Sequence, residues 1–335
     1  MKSFFNLLLL ILVPLIWNFA FIQWSIGTRN EVSLDEAKIP ESTLAFLDSL
    51  SNRILGGSDD HLIMVPVDSL STESWDNAYD YGQRVENGLY VYEPDSLFVI
   101  YCDVQDDDLV KDLHHYVLSA IEPMKKLMGR YVYPYMVNGR KLSLYLCYKE
   151  DVYQNISRQL SECDSDYSKT WGLCIHRYWG CDVQTLGITL NYGHIKRYSD
   201  PKLNLKATIW HEMNHYVYFQ SIDLSKEISL HTWMYEGLAE YFSSQVKRQT
   251  TGLSREERSA VYRNSLSSSF NPFLFNYSGG ELFYDYLESN YGKDTVCRFV
   301  ENIYRMPLET SLVGIGTDIS HAQGGWVRYI ENNYI

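Results

Sequence analysis

Basic residues are scarce in this chain. Against 42 Asp and Glu it has 29 Lys and Arg, a formal net charge of −13, and no cluster of Lys or Arg builds a face for phosphates. Nucleic acid is therefore not an expected partner. Six cysteines in 335 residues are too few for a fold that depends on disulfides. Cys163, Cys174 and Cys181 crowd one Trp-, Gly- and Tyr-rich stretch, where a single bridge fits an oxidising compartment but the spacing is not that of a zinc ribbon. Cys102, Cys147 and Cys297 read as small core residues. The acidic group Asp106-Asp107-Asp108 lacks the loop glycine and distal glutamate of an EF-hand, which leaves a helix start as its reading. There is no repeat and no low-complexity tract. With 45% hydrophobic residues and 21% charged, the composition is that of a globular protein long enough to bury a sizeable core.

One long apolar run exists. From Phe4 to Ile26 the polar residues are Asn6, Asn18, Gln23 and Ser25, and such a run is long enough to cross a bilayer as a tilted helix. Ser25 and Gly27 also form a small-x-small cleavage site before Thr28. Residues 1–27 are therefore expected to be a signal peptide or a membrane anchor. Either way the rest of the chain is expected to be exported to the cell envelope or beyond, touching membrane through residues 4–26 if they are not cleaved.

Residues 28–95 show little pattern and read as a variable N-terminal segment. From Ser96 the pattern sharpens. Leu97 to Tyr101 reads as a strand, and Leu109, Leu113, Val117, Ile121, Met124 and Met128 form a helical stripe with His114 and His115 at its surface or boundary. Leu142, Leu144 and Leu146 alternate as in a half-buried strand, and Leu186 to Tyr192 reads as another. Helices are predicted over about 203–220, 232–247, 254–268, 279–291, 294–305 and 318–331. Ser254 with Glu257 makes a capping box, and Gly292 is a helix stop. The outline is α+β: a small α/β part with a mixed sheet, then a mostly helical part, together one domain over residues 96–335.

The chemistry concentrates in His211-Glu212-Met213-Asn214-His215. Histidines at i and i+4 lie on one helical face, so both imidazoles reach one metal ion, and the glutamate beside the first projects toward the metal's water. A catalytic zinc takes three protein ligands and keeps one position open. Beyond His215 the chain offers Glu236-Gly237-Leu238-Ala239-Glu240. Glu236 is the candidate third ligand, and Glu240, one turn on, is placed to accept the outer N–H of a ligand histidine. His231 reads as structural. His194 is a weaker alternative as an oxyanion donor, and His176 carries no message.

The pentapeptide followed by Glu236 in a Glu-Gly-x-Ala-Glu setting resembles the gluzincin zinc metallopeptidases, in particular the peptidase MA-like and aminopeptidase N families. Tyr277-Ser278-Gly279-Gly280 leading into Glu281-Leu282-Phe283 is similar to the Tyr-x-x-Gly segment that opens a helix in those families. The ending Trp326-Val327-Arg328-Tyr329-Ile330 looks like their terminal helix. The resemblance spans about residues 96–334 and implies a thermolysin-like zincin architecture. It implies one zinc per chain on His211, His215 and Glu236, Glu212 as general base, Tyr277 as donor to the oxyanion, and a peptide or protein substrate. There are departures: the gap from His215 to Glu236 is slightly longer than in the aminopeptidases, and no Gly-x-Met-Glu-Asn segment is present. Two other readings stay open, an inactive binding protein that keeps the peptidase fold and a zinc hydrolase of a non-peptide substrate. A strand before the active helix, Leu186 to Tyr192, is the expected edge for pairing with an extended substrate.

Overall fold

The computed structural model describes residues 84–95, 97–128, 141–179, 182–222, 231–247, 260 and 278–334. Residues 4–26, the capping box at Ser254, Cys181 and Tyr277 lie outside them. The protein is α+β. Among the described residues are six strands, β1 (Arg84–Glu86), β2 (Leu89–Tyr92), β3 (Phe98–Cys102), β4 (Leu142–Cys147), β5 (Gly172–Trp179) and β6 (Asp182–Asn191), in one sheet of order β1-β2-β3-β4-β6-β5. The central strands β3, β4 and β6 run parallel, and β1, β2 and β5 pair antiparallel to their neighbours. The first two strands come from the patternless stretch before Ser96, so the sheet begins earlier than the sharpening of the hydrophobic pattern.

The helix α1 (Asp107–Met128) crosses between β3 and β4. It starts where expected: Asp106 Oδ1 accepts the Leu109 N–H at 3.0 Å, Asp107 and Asp108 sit in the first turn, and Lys125 and Lys126 occupy the last, matching the helix dipole at both ends. Its stripe is buried as the periodicity requires, with Leu109, Leu113, Val117, Ile121 and Met124 each at most 4% exposed. His114 corrects the expectation of a boundary residue. It is buried, because its Nε2 meets Asp95 Oδ2 at 2.7 Å, a partner nineteen residues away that helical periodicity does not reveal.

Behind β4 lies α2 (Glu150–Ser161), and after β6 a short turn of helix, α3 (Tyr192–Ile195), leads into α4 (Pro201–Ser221). Asp200 caps α4 through Leu203 N–H at 3.2 Å, with Pro201 in the first turn, where a missing N–H costs nothing. From Ala207 to Phe219 every residue but His211 is buried, Ile209, Met213, Tyr216, Val217 and Tyr218 together with the polar Thr208, Glu212, Asn214 and His215, as in a helix enclosed by other elements. It packs against α1, β5, β6 and α5 (Thr232–Lys247). The remaining helices are α6 (Ser278–Tyr291), α7 (Lys293–Ile303), α8 (Leu308–Gly314) and α9 (Ile319–Tyr334). Helix α8 was not foreseen, and the 318–331 reading corresponds to α9.

Helices α5 and α6 cross at two glycines. A Cβ on Gly237 would stand 2.4 Å from Gly280 Cα, and one on Gly280 would stand 2.1 Å from the Trp233 carbonyl oxygen. Backbone cannot yield at such distances, so the crossing needs both residues to lack a side chain. Tyr284 adds a hydrogen bond across the crossing from its hydroxyl to the Met234 carbonyl at 2.9 Å. No disulfide links Cys102, Cys147, Cys163, Cys174 or Cys297, all of which are free thiols. The bridge expected near Cys163 and Cys174 is therefore not formed between these two.

The same helix pair buries acids. Glu281 is 3% exposed, with Ser244 as hydrogen-bond partner and Oε1 without one. Burial, then the Asp285 and Glu240 carboxylates, push its carboxyl up to about 8. Burial and Glu288 push Asp285 up to about 7. A carboxyl whose pKa is raised on folding contributes stability at low pH and loses it as pH rises through the folded value. Stability should therefore fall as pH rises from about 4, where these carboxyls ionise in the unfolded chain, to about 7 to 8, where they ionise in the folded one, and Glu281→Gln should remove part of that slope. Unfolding midpoints of parent and variant at about pH 5 and about pH 9 test this. The variant should gain on the parent at the higher pH, and an equal gap at both would show that Glu281 ionises normally.

Candidate metal centre

One turn of α4 separates His211 from His215, so the two rings leave the helix on the same side. Their Nε2 atoms are 2.9 Å apart. Glu236, in the first turns of α5, places Oε2 at 3.2 Å from His215 Nε2 and 3.3 Å from His211 Nε2. Two nitrogens and an oxygen thus converge on one point, and His211, His215 and Glu236 are the one set of three potential ligands found to converge among the described residues. Tetrahedral zinc with bonds of about 2.0–2.1 Å holds neighbouring ligand atoms about 3.3 Å apart. The spacing and the mixed nitrogen–oxygen donor set therefore fit that metal.

The surroundings supply negative charge. Burial opposes a proton on His211, yet Glu236, Glu240 and Glu212 together carry its pKa up to about 9. Burial likewise opposes charge on Glu236, and His215 with His211 overcomes it, holding the carboxyl down to about 2. Such a cluster draws a cation into its centre. Outside the cluster, His211 Nδ1 lies 3.4 Å from Glu240 Oε1, which leaves Nε2 facing inward as a lone-pair donor. His215 Nδ1 is buried and has no hydrogen-bond partner among the described residues, and its ring is held instead against Tyr235 and Phe219, at centroid distances of 5.8 and 6.4 Å.

Glu212 is 5% exposed and lies under β5. A Cβ on Gly172 would come 2.9 Å from Glu212 Oε1 and equally near Thr208 Cγ2, so the strand comes this close because the residue is glycine. The Cys174 backbone N–H donates to the Glu212 carboxylate. Burial raises the Glu212 pKa, and the two histidines oppose that rise. The carboxyl is thus buried beside the three convergent atoms, with its pKa raised.

This arrangement corrects the choice of edge strand. The segment Leu186 to Tyr192 belongs largely to β6, which β4 and β5 flank on both sides, so its backbone groups are already taken. The edge is β5, and among the described residues no strand pairs with its outer side. Sequence reading missed β5, although an eight-residue run rich in aromatic and branched residues and opened by Gly172 was a usable signal. It missed His176 for the same reason. That ring stacks on Phe219 at 4.4 Å, bonds Thr185 Oγ1 through Nδ1 at 3.1 Å, and is pushed down to about 3 by burial and by His215. It neighbours the centre without joining the convergent set. His194 pairs with the Tyr198 hydroxyl at 3.1 Å, and His231 precedes α5, its carbonyl accepting the Met234 N–H.

Residues 187–255 match the model of a family described as "Predicted Zn-dependent protease (DUF2268)". The matched span contains His211, Glu212, His215, Glu236 and Glu240. No curated protein matches the chain. The region around the site is thus similar to predicted zinc-dependent proteases, and a possible zinc-binding triad sits inside it.

If Glu240 orients His211, Glu240→Ala should weaken zinc binding by about 10- to 100-fold while leaving one zinc per chain at saturation. Competition against a chromophoric chelator measures this. An unchanged zinc affinity would show that the 3.4 Å contact has no hold on the metal.

Proposed function

We propose that the chain is a zinc-dependent peptidase of the gluzincin type, with His211, His215 and Glu236 as ligands and Glu212 as general base. The observation that carries the reading is the convergence of three ligand atoms from two helices within 3.3 Å, beside a buried glutamate that is not one of them. Bound zinc would supply a water made acidic and a carbonyl made electrophilic. Glu212 takes the proton of the attacking water and passes it to the leaving amine. Its burial under Gly172 and the bond from Cys174 N–H keep the carboxylate from turning away to solvent. Glu240 steadies His211. Tyr277, by its likeness to the Tyr-x-x-Gly segment, donates to the oxyanion as charge develops.

A peptide substrate is favoured over a non-peptide ester or amide because β5, which runs past Glu212, is the last strand of the sheet among the described residues. An extended chain adds to such an edge through main-chain hydrogen bonds, which brings one of its peptide groups toward the metal. The apolar residues 4–26 favour an exported protein, anchored by that segment or released after cleavage. The net charge of −13 fits no nucleic-acid role.

Three variants of the full chain test the mechanism. Glu212→Gln should keep its zinc and lose about 10²- to 10⁴-fold in turnover of a mixed peptide library. His215→Ala should lose the metal, measured by elemental analysis after gel filtration. Tyr277→Phe should keep fold and zinc and lose about a hundredfold in kcat with KM little changed. Near-normal turnover in Glu212→Gln would remove the general base from the mechanism. An inactive parent protein with full zinc would favour the binding-protein alternative.

A further inference from the structure

A second cavity lies between α6 and α9, with a volume of about 570 Å³ and no lining residue in common with the metal centre. Small-molecule sites fall in this range, about 300–1,000 Å³. Its walls are tyrosines, hydroxyls and amides around one guanidinium: Tyr286, Ser289, Tyr291, Arg328, Tyr329 and Asn332 are among the lining residues. No Asp or Glu lines it among the described residues, in a chain that carries 42 of them.

Two phenolic protons on these walls lack an acceptor among the described residues, whereas the Asn290 and Asn333 amides donate to the Tyr286 and Tyr329 carbonyls. The Tyr286 and Tyr291 hydroxyls lie 3.2 Å apart; one donates to the other, and the second proton has no partner among the described residues. Ser289 donates to the Tyr329 hydroxyl at 3.4 Å, which leaves the Tyr329 proton uncommitted. Arg328 forms no ion pair with any described residue, and its guanidinium acts electrostatically on the Tyr286 phenol. The Tyr286 and Tyr329 rings pack on each other, tilted, at 6.1 Å between centroids; Tyr286 is buried, Tyr329 half-buried and Tyr291 exposed.

The backbone is built to admit these groups. Gly325 sits within α9, where glycine weakens a helix relative to alanine. A Cβ there would stand 2.1 Å from the Tyr286 hydroxyl oxygen. The missing side chain thus makes room for the phenol at the cavity wall.

We propose that this cavity is a binding site for a single organic carboxylate with a flat apolar body, the carboxylate held by Arg328 and the tyrosine hydroxyls and the body lying against the accessible rings of Tyr291 and Tyr329. A guanidinium matches a carboxylate with two parallel N–H bonds, and phenolic donors satisfy the remaining lone pairs. The carboxylate comes either from a small free acid or from the C-terminus of a peptide. The proposal does not depend on the peptidase reading, because it uses none of the metal centre's residues.

Calorimetric titration of the full chain distinguishes the sources. The probes are benzoate, an N-acetylated tetrapeptide ending in Phe with a free carboxylate, its C-terminal amide, and inorganic phosphate. Glu212→Gln protein is used so that the peptide survives. Saturable binding of benzoate alone assigns the site to small acids, and binding of the acid peptide but not the amide assigns it to peptide termini. In either case Arg328→Gln should weaken binding about tenfold or more, and Gly325→Ala, which crowds Tyr286, should do the same. Arg328 is exposed, so the first variant is expected to fold, and unchanged Tm checks this. The proposal is overturned by no saturable binding of any carboxylate, by equal binding of acid and amide, by phosphate binding more tightly than the carboxylates, or by full binding in Arg328→Gln.

Discussion

Two imidazole nitrogens and a carboxylate oxygen held within 3.3 Å of one another, out of water, form an arrangement that does not hold itself together. Lone pairs pointed at a common centre repel unless a cation sits among them. The architecture around the centre answers that constraint. Helix α4 is enclosed on all sides, so His211 and His215 cannot swing away. Helix α5 is drawn close at the Gly237–Gly280 crossing, which fixes Glu236 one residue from the point of closest approach. A side chain at either glycine would move Glu236 as well as the helix.

The strand β5 does for Glu212 what the helix crossing does for Glu236. At Gly172 the backbone lies over the carboxylate, and at Cys174 it donates a hydrogen bond to it. The register shift that follows, where Ile175 pairs with Gly187 and His176 with Thr185, re-aims the strand just as it passes His215. Beyond it, His176 and Tyr178 pack on Phe219. One strand therefore lies over Glu212, borders His215 and ends the sheet among the described residues.

What was legible in the sequence was what is local. The spacing of His211 and His215 is a property of one helix, and Glu236 with Glu240 is a property of the next; α5 spans Thr232–Lys247, as its pattern predicts. The crossover helix α1 was equally plain, because its stripe and its acidic start are written within one element. What was missed depends on pairing across distance. His114 looked like a surface residue until Asp95 came to meet it. The strand β5 has half-buried residues on both faces and carries two cysteines' worth of distraction in its neighbourhood, so no strict alternation marks it. That β6 is interior and β5 is the edge is a fact of strand order, which no window of residues contains.

Behind the ligands the negative charge continues inward. Glu236 meets the rings, Glu240 meets the outer nitrogen of His211, and Glu281 and Asp285 lie further along the α5–α6 interface without a cation beside them among the described residues. Each layer answers burial differently. The inner carboxylate stays charged because positive partners surround it. Glu281 and Asp285 have none and rise toward neutrality, so the interface stores protons where a salt bridge would otherwise be needed. Of the two, Glu281, pushed up to about 8, holds its proton further toward neutral pH than Asp285 at about 7. The carboxylate nearest both rings is Glu236, and Glu240 meets only the outer nitrogen of His211.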